Sequence, residues 1–372
     1  MLRNIVNILN LFLYKKKRVV IQVFPNFEDN GVAIAEYLVE NYKFPVYFIN
    51  KDGKYNEFIL KNKSIKVLEP KTVRSIYFVL TSKYLLFTHG SVLTSFSNRQ
   101  IVFNLWHGFP YKAIGLLING RAINSNLTAT TSDYGVKLFS SIFGVPTNTV
   151  KVTGFPRNDR LFGFLKEDVF SKLNLNTSKV TIFWLPTYRQ SVIGEIREDG
   201  VEVGNPFGVK NFDIKLFNEF LSRNNAVCIV KPHPMAPKYD VENVYENIKL
   251  IDDDFLHKRG ITLYQLLGVT DCLISDFSSV IIDYILTDKP IICFVEDLNK
   301  YKETRGILFE DFENYIPGAI AVNIEEFYNA LTDVFLEKDL MSEKRKDLKS
   351  FFHKNIDNNS AKRVAESLFQ EN

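Results

Sequence analysis

Short apolar runs alternate with amphipathic segments along nearly the whole chain from residue 18 onward. Runs such as Val180–Leu185 and Ala226–Val230 are almost entirely apolar, as expected of strands covered on both faces of a sheet. Segments such as Asn30–Tyr42 and Asp133–Phe143 instead carry apolar residues at helical spacing. Because strands that alternate with helices form parallel sheets, the pattern predicts an α/β fold.

The pattern divides into two halves, each with its own series of strands. The first half predicts strands at Val19–Phe24, Pro45–Ile49, Ile65–Leu68, Tyr84–Phe87, Ile101–Leu105, Leu127–Thr131 and Val150–Thr153. The second predicts them at Val180–Leu185, Ala226–Val230, Ile248–Ile251, Cys272–Ile274 and Pro290–Val295. A polar stretch at residues 166–179 separates the halves. We therefore predict two consecutive doubly wound, Rossmann-like domains at residues 19–165 and 166–345, with a cleft between them.

Residues 1–18 form a separate segment in which an apolar stretch precedes Lys15, Lys16, Lys17 and Arg18. The stretch is too short to span a bilayer, and its charge follows the apolar part rather than preceding it, unlike a signal peptide. As a helix it either docks on an anionic inner leaflet through its apolar face and basic cluster, or packs on its own domain with the lysines in solvent. The apolar face would comprise Leu2, Ile5, Val6, Leu9, Phe12 and Leu13.

Composition narrows the class of protein without naming an activity. The 372 residues are 46% hydrophobic and 24% charged, with a net charge of +3, which describes a globular protein without the strong positive charge of a nucleic-acid-binding protein. The three cysteines, Cys228, Cys272 and Cys293, each lie inside an apolar run. They are interpreted as reduced, buried strand residues of a cytosolic protein.

Basic and imidazole side chains follow several predicted strands directly. They are Arg157, Arg189, Lys231, His107 and His233, and His89 follows another strand nearby. Ser278 and Ser279 stand where a buried strand passes into an apolar helix, a position at which free backbone N–H groups suit a phosphate. Ligands of open α/β sheets bind outside the carboxyl ends of the strands. This set predicts a site that holds a diphosphate and supplies a base near neutral pH.

Other chemistries are less well supported. The chain contains no GxxxxGK[ST], GxGxxG or GxSxG motif, which argues against a P-loop, a dinucleotide site and an α/β-hydrolase. The acidic run at residues 252–254 is interpreted as a solvated face rather than a metal site, and His257 as a surface residue. A polar loop at Gly194–Gly208 either covers a site or merely connects two elements.

Several of these segments, in order, resemble one family. Residues 104–115 (NLWHGFPYKAIG), 153–162 (TGFPRNDRLF), 183–189 (FWLPTYR), 231–234 (KPHP), 273–284 (LISDFSSVIIDY), 290–301 (PIICFVEDLNKY) and 305–318 (RGILFEDFENYIPG) are similar to CDP-glycerol glycerophosphotransferases. The resemblance spans residues 19–365, including Asp29-Asn30 near the start and Asp357 and Arg363 near the end. These enzymes prime or polymerise wall teichoic acid, and relatives build capsules with polyol-phosphate linkages.

The resemblance implies a GT-B architecture, with a final helix at residues 346–372 that crosses back to the first domain. It implies a CDP-activated polyol donor, glycerol phosphate as the expected unit, CMP as the leaving group, and a lipid-linked or oligosaccharide acceptor. The first domain would face the acceptor and the second would bind the donor. No tightly bound cofactor, metal site or nucleic-acid partner is expected, and the protein would act in the cytoplasm, with the inner membrane surface as a further candidate partner.

Roles for individual residues follow from the same resemblance. His107 and His233 would be catalytic, and the residues expected to bind the donor are Arg189, Lys231, Asp276, Ser278, Ser279 and Arg305. On the acceptor side, or supporting it, are His89, Gly108, Lys112, Arg157 and Asp159. Departures from the family pattern occur at Phe109, Tyr111 and Asn358, and the first two flank His107 where they would alter acceptor fit.

Two other functions compete with this one. A CMP-sialic-acid-dependent GT-B sialyltransferase also releases CMP and also uses a His-Pro element with paired serines. A catalytically idle binding partner of a polymer-synthesis complex would keep the fold without the reaction.

Overall fold

Two parallel sheets form the framework of the protein. The computed structural model describes residues 2–51, 60, 64–91, 93, 95–187, 204–233, 236, 245–276, 278–296, 298–299 and 307–370. The first sheet has the order β3-β2-β1-β4-β5-β6-β7. Its strands are β1 (Lys16–Gln22), β2 (Val46–Ile49), β3 (Ile65–Leu68), β4 (Ser82–Phe87), β5 (Ile101–Asn104), β6 (Leu127–Thr130) and β7 (Val150–Val152).

The second sheet repeats this arrangement with the order β10-β9-β8-β11-β12-β13. Its strands are β8 (Val180–Leu185), β9 (Ala226–Val230), β10 (Ile248–Leu250), β11 (Cys272–Ser275), β12 (Ile291–Phe294) and β13 (Ala319–Ala321). In both sheets the strand order reverses beside the first strand, which leaves a crevice at the carboxyl ends there. The prediction of an α/β fold with parallel sheets is confirmed, although β13 was not predicted.

Twelve α-helices are described along the same stretch of chain. They are α1 (Leu2–Phe12), α2 (Asp29–Asn41), α3 (Val73–Thr81), α4 (Asp133–Phe143), α5 (Lys166–Leu173), α6 (Ile214–Arg223), α7 (Asp253–His257), α8 (Leu263–Val269), α9 (Val280–Tyr284), α10 (Ile324–Phe335), α11 (Ser342–Phe352) and α12 (Ser360–Gln370). Within the described residues, every helix is too short or too polar to cross a bilayer. The polar stretch after residue 165 contains α5 rather than an open linker.

The core follows from the period-two alternation of the strands. Val19 and Ile21 of β1 belong to a large apolar cluster, whereas Val20 faces a smaller one on the other side of the first sheet. The large cluster continues without interruption to Phe183 and Leu273 of the second sheet. The opposite face of that sheet packs around the buried Trp184. The three cysteines are buried and unpaired, as predicted.

The N-terminal helix is anchored by residues that the sequence interpretation placed in solvent. Lys15 is buried, and its ammonium donates hydrogen bonds to the carbonyl and side chain of Asn10 and to the Leu80 carbonyl. Arg18 is also buried, bonded to Ser82 and stacked over aromatic rings. The prediction that all four basic residues lie in solvent is therefore wrong, because Lys15 and Arg18 form hydrogen bonds with buried carbonyl and hydroxyl groups.

The C-terminal helix contacts the first half of the chain. Asp159 accepts hydrogen bonds from the backbone N–H groups of Ser360 and Ala361 at 2.8 Å each, at the start of α12. Arg363 donates to the Thr153 carbonyl and pairs with Asp357 through two hydrogen bonds. These contacts fix α12 beside the loop after β7, the edge strand of the first sheet, which is separated from β5 by β6 alone.

Candidate active site

The carboxyl ends of the central strands carry the candidate site. In the first sheet, β1, β4 and β5 are neighbours, and the segments that follow them contain Glu28, His89 and His107. In the second sheet, β8, β9 and β11 are neighbours, and Lys231 and Asp276 follow the last two. Polar groups from distant parts of the sequence therefore meet at the two switch points.

His107 is held in one tautomer by the backbone. Its Nδ1 lies 3.1 Å from the Thr88 carbonyl oxygen, which can only accept a hydrogen bond. In the neutral ring Nδ1 therefore carries the proton, and Nε2 keeps its lone pair. Burial lowers the pKa of His107 well below its ordinary value, and the neighbouring His89, Arg157 and Lys112 act in the same direction. The ring is consequently neutral near pH 7 and able to accept a proton at Nε2.

Aromatic rings fix the plane of this imidazole. His89 stacks on His107 with ring centroids 3.6 Å apart and an interplanar angle of 6°. Trp106 packs on the other side at 3.9 Å, with its backbone in the left-handed region at φ +55°. The Trp106 carbonyl accepts a hydrogen bond from Asn30 at 3.0 Å. The loop that carries His107 is thus constrained by both its side chains and its backbone.

Gly108 brings this loop against the second half of the chain. Its φ is +135°, a backbone conformation that residues other than glycine rarely adopt. A Cβ at this position would lie 2.4 Å from Ser279 Oγ and 2.7 Å from an Arg157 guanidinium nitrogen. The His107 loop and Ser279, far apart in sequence, are therefore in direct contact.

Arg157 connects the same two parts through buried hydrogen bonds. One guanidinium nitrogen donates to the His107 carbonyl at 2.8 Å, and the other forms an ion pair with Asp283 of α9. Tyr264 also donates to Asp283, at 2.6 Å. Burial would lower the pKa of Arg157, but the acidic groups around it, Asp283 foremost, outweigh burial and raise it. The guanidinium is charged at every accessible pH.

Two carboxyl groups at the start of α2 complete this buried cluster. Glu28 lies 3.9 Å from Arg157 and accepts a hydrogen bond from the Gly31 N–H. Burial raises the pKa of Glu28 to about 8, against the opposing attraction of Arg157. Burial likewise raises the pKa of Asp29. At neutral pH Glu28 is therefore mostly protonated, which reduces the negative charge beside Arg157.

A second polar group lies beyond β9. The Lys231 ammonium is buried and forms an ion pair with Asp253 at 2.9 Å, and the attraction of Lys231 outweighs burial and lowers the pKa of Asp253. His233 is exposed, and its charge contributes to the same lowering. The acidic run is therefore only partly a solvated face, because Asp252 caps α7 and Asp253 pairs with Lys231.

His257 corrects another sequence interpretation. It is buried rather than on the surface, and its ring packs edge-on against Phe27 of the first half with centroids 5.0 Å apart. The lone histidine in a charged segment gave no sign of this, because the apolar partner comes from more than two hundred residues away.

The other predicted residues take varied positions. Asp276 is buried and accepts hydrogen bonds from Thr187, which joins the ends of β8 and β11. Ser278 accepts from the Val280 N–H at 3.4 Å, and α9 is only five residues long before it tightens into a 3₁₀ turn. Asp159 caps α12, as described above. Arg189, Arg305 and most of the Gly194–Gly208 loop lie outside the described residues.

The two departures near His107 have structural roles. Phe109 is fully buried, and Tyr111 is nearly so, with its hydroxyl donating to the Tyr315 carbonyl at 3.1 Å. Both rings pack on Phe352. The two rings therefore anchor the segment after His107 on α11.

Sequence reasoning did not assign roles to Glu28, Thr88, Tyr264 and Asp283. Asp283 stands in the otherwise apolar run VIIDYIL, and a charge in such a run signals a buried, paired group. Thr88 acts through its carbonyl, which no residue type reveals. The described structure thus gathers His107, Gly108, Arg157 and Ser279 in one group, and Lys231 and His233 in another beside Asp253.

Comparison with known proteins shows which family the chain resembles. Residues 5–370 match the family model described as CDP-Glycerol:Poly(glycerophosphate) glycerophosphotransferase. The chain is 26% identical over 291 residues to the Staphylococcus aureus teichoic acid ribitol-phosphate polymerase TarL, covering 74% of this chain and 48% of that protein. It is 24% identical over 371 residues to the teichoic acid glycerol-phosphate transferase of the same organism, covering 92% of this chain and 90% of the relative. The chain thus spans about half the length of the first of these relatives.

Solved structures agree on the fold. The wall teichoic acid polymerase TagF, in the H444N form soaked with CDPG, superimposes with a TM-score of 0.78 at 20% identity over 99% of this chain and 92% of that one. A UDP-GlcNAc 2-epimerase from Neisseria meningitidis reaches a TM-score of 0.57 at 13% identity over 95% of this chain and all of that one, a likeness of fold alone. The sialyltransferase alternative is not supported by these relatives.

Proposed function

The chain belongs to the CDP-glycerol:poly(glycerophosphate) glycerophosphotransferase family, and from that premise we propose that it transfers a polyol phosphate from a CDP-activated donor to an acceptor hydroxyl. Glycerol phosphate is the first choice of unit, and ribitol phosphate the second, since relatives named for each are similar to the chain. The acceptor would be a lipid-linked or oligosaccharide chain of a teichoic-acid or capsule-type polymer. One observation carries the proposal: the His107 loop touches Ser279 across the two sheets.

The reaction needs one bond to form and one to break. The acceptor hydroxyl oxygen attacks the phosphorus that bears the polyol, and the bond from that phosphorus to the bridging oxygen breaks. CMP leaves with the bridging oxygen, and a phosphodiester remains. His107 accepts the hydroxyl proton at Nε2, the nitrogen left unprotonated by the Thr88 contact. General-base assistance of this kind contributes about 10²–10⁴-fold.

The second domain would bind the donor. Ser278 and Ser279 lie at the start of α9, where hydroxyl and backbone donors suit the diphosphate. Lys231 and His233 follow β9 and would neutralise charge that builds on CMP as it leaves. Arg189 and Arg305, outside the described residues, remain donor candidates by the resemblance alone. Removing one hydrogen-bond donor that stabilises the charge of the transition state typically lowers the rate about 10²–10³-fold.

The domain plan is part of the same proposal. We assign a GT-B arrangement with an acceptor-side domain at residues 19–165, a donor-side domain at 166–345 and a C-terminal segment at 346–372 that returns to the first. The contacts of Asp159 and Thr153 with α12 support the return of this last segment. Bringing donor and acceptor together between two domains supplies the positioning that the transfer needs.

Residues 1–18 would bring the enzyme to the inner face of the membrane, although through another face of α1 than the predicted one, because Val6 and Leu13 pack against the core of the first sheet. On α1, Ile8, Leu11 and Phe12 are 57%, 47% and 78% exposed. Lys16 and Lys17 remain exposed beside them, although Lys15 and Arg18 are buried. Apolar side chains flanked by lysines suit an anionic lipid surface.

The function is tested by following CMP release. Wild-type protein is incubated with a lipid-linked or oligosaccharide acceptor and with CDP-glycerol, CDP-ribitol or CMP-sialate. We expect release from a CDP-polyol only, with a product heavier by one or more polyol-phosphate units by mass spectrometry. Release from CMP-sialate alone would refute the proposal, and release from none would favour the idle binding partner.

Two variants assign the roles. His107→Ala should abolish transfer while CDP-glycerol affinity, measured by calorimetry, stays near that of the wild type. The double variant Ser278→Ala/Ser279→Ala should weaken donor binding, whereas Ser350→Ala, an exposed serine on α11, is the matched control. Unchanged donor affinity in the double variant would remove the phosphate site from this loop.

A further inference from the structure

A single buried guanidinium links the loop of the proposed base to the helix of the proposed phosphate site. Arg157 donates to the His107 carbonyl at 2.8 Å and pairs with Asp283, which lies four residues after Ser279 on the same helical segment. The side chains of Arg157 and Asp283 are 8% and 0% exposed. We call Arg157, Asp283 and Tyr264 the clasp.

The contacts around Arg157 hold its guanidinium in one position. Tyr264 donates to Asp283, and its ring lies under the guanidinium at 4.8 Å. The Arg157 backbone N–H donates to Asn30 at 2.9 Å, and Asn30 in turn donates to the Trp106 carbonyl. The backbone of the His107 loop is therefore held at two consecutive carbonyls. Arg157 holds the His107 carbonyl, and Asn30, which also accepts from the Arg157 backbone, holds the Trp106 carbonyl.

The contacts of this guanidinium are mostly with protein. Two of its five N–H groups donate to the His107 carbonyl and to Asp283, and the side chain is 8% exposed. These contacts tie the guanidinium to the His107 loop and to α9 at once. Stability alone also explains the pair poorly, because a buried ion pair is about as stable as a well-packed apolar pair of similar size.

We propose that Arg157, held by Asp283 and Tyr264, is a positioning residue that sets the His107 loop against Ser279 and so fixes the proposed base relative to the donor phosphates. This inference rests on the proposed function, since it assumes that His107 and Ser279 act on the same substrate. It assigns a role in turnover to Asp283 and Tyr264, which are both buried.

The proposal predicts two separable effects on His107. The geometric effect follows from the hydrogen bond to its carbonyl, which lysine cannot reproduce together with the bond to Asp283. The electrostatic effect follows from charge, because His89, Arg157 and Lys112 all disfavour the protonated imidazole. Removal of the Arg157 charge should raise the pKa of His107, whereas Arg157→Lys should leave it nearly unchanged.

The experiment compares four folded forms of the full chain. Asp283→Asn keeps the shape of the side chain and removes its charge. Arg157→Lys keeps the positive charge and removes the planar guanidinium, which donates to two acceptors at once. Arg157→Met/Asp283→Leu removes both partners, and should fold because no unpaired charge is left from the pair. Lys354→Met, which breaks an exposed ion pair with Asp133 elsewhere, is the control.

CMP release and His107 titration are measured in parallel. Turnover of the clasp variants should fall about 10²-fold, the usual cost of misplacing a reacting group by about 1 Å, with donor KM little changed. The chain has five histidines, so the His107 resonance of protein labelled only at histidine can be assigned by its loss in His107→Ala. Its pKa should rise in the Met/Leu double variant but not in Arg157→Lys.

Each outcome decides something definite. Wild-type turnover in the double variant, with a folded protein by circular dichroism, would overturn the clasp as a positioning device. An unmoved His107 pKa in the double variant would also overturn it, and this readout needs no turnover. If wild-type protein itself releases no CMP from a CDP-polyol, the proposed function fails, while the titration still decides whether the clasp controls His107.

Discussion

Replacement of Gly108 by alanine tests whether the two loops meet as closely as the structure places them. The added Cβ would lie 2.4 Å from Ser279 Oγ, 2.7 Å from an Arg157 nitrogen and 2.9 Å from Ser279 Cβ. Ordinary contact for such a carbon begins near 3.4 Å, so the loops must separate by about 1 Å. The residue would also keep a φ of +135° that alanine rarely adopts.

Both penalties have expected sizes. Backbone strain at such a position costs about 1–3 kcal/mol, and overpacking costs about 1–3 kcal/mol more when the neighbours cannot yield. A separation of about 1 Å between reacting groups lowers turnover about 10²-fold. We therefore expect a folded but destabilised enzyme whose CMP release falls by about two orders of magnitude.

Gly90→Ala is the matched control. Its φ of +115° is similarly unfavourable for alanine, but a methyl group there meets nothing within 4 Å. It should share the strain and keep its turnover. Thermal unfolding measures the first quantity and CMP release the second. Turnover of Gly108→Ala within about twofold of the control would show that the contact with Ser279 is irrelevant to the reaction.

Two further predictions concern stability. Glu28→Gln should stabilise the protein by an amount that depends on pH. Below pH 4.5 the Glu28 carboxyl is protonated in both the folded and the unfolded chain, and between pH 4.5 and about 8 it ionises only in the unfolded chain. Above pH 8 the free energy that Glu28 costs on folding has reached its full size. The gain should therefore be absent at pH 4 and reach about 3–5 kcal/mol at pH 8.5 by urea denaturation, and a gain independent of pH would contradict the raised pKa. Asp159→Ala frees two N–H groups at the start of α12 and should cost about 1–2 kcal/mol in the same assay, with Asp168→Ala on the exposed start of α5 as the control. An unchanged midpoint for Asp159→Ala would mean that water replaces the carboxylate without loss.

The elements with a strong pattern were predictable because the physics that forms them is local. Val180–Leu185 and Ala226–Val230 match the structure at both ends, since strands buried on both faces leave an uninterrupted apolar run. β13 was missed because two of its three residues, Ala319 and Ala321, are alanines, which are uncommon in strands. Predicted strand ends differed from the observed ones by one to three residues where a strand continues into its first polar neighbours, as β1 does at Lys16.

The site was predictable only as far as strand ends reveal it. The residues after parallel strands must converge at one edge, so His107, Lys231 and Ser279 stood out. The partners that orient them did not, because their role depends on contacts across more than a hundred residues of sequence, such as Arg157 with Asp283. The burial of Lys15 and His257 was missed for the same reason: their partners are a distant carbonyl and a distant ring.

The contact at Gly108 also limits how a donor can enter. A methyl group does not fit between Gly108 and Ser279, so a phosphate does not fit there either while the loops touch. A donor held by Ser279 must therefore approach from another side of the hydroxyl, or the two halves of the chain must first move apart. The second route would break the bond from Arg157 to the His107 carbonyl or the pair with Asp283, both of which are buried. A buried charge left without its partner costs about 3–5 kcal/mol. The two halves of the chain can therefore move apart only if the donor phosphates or water replace the lost contacts of Arg157 and Asp283. The geometry of the clasp would then couple donor binding to the position of the base.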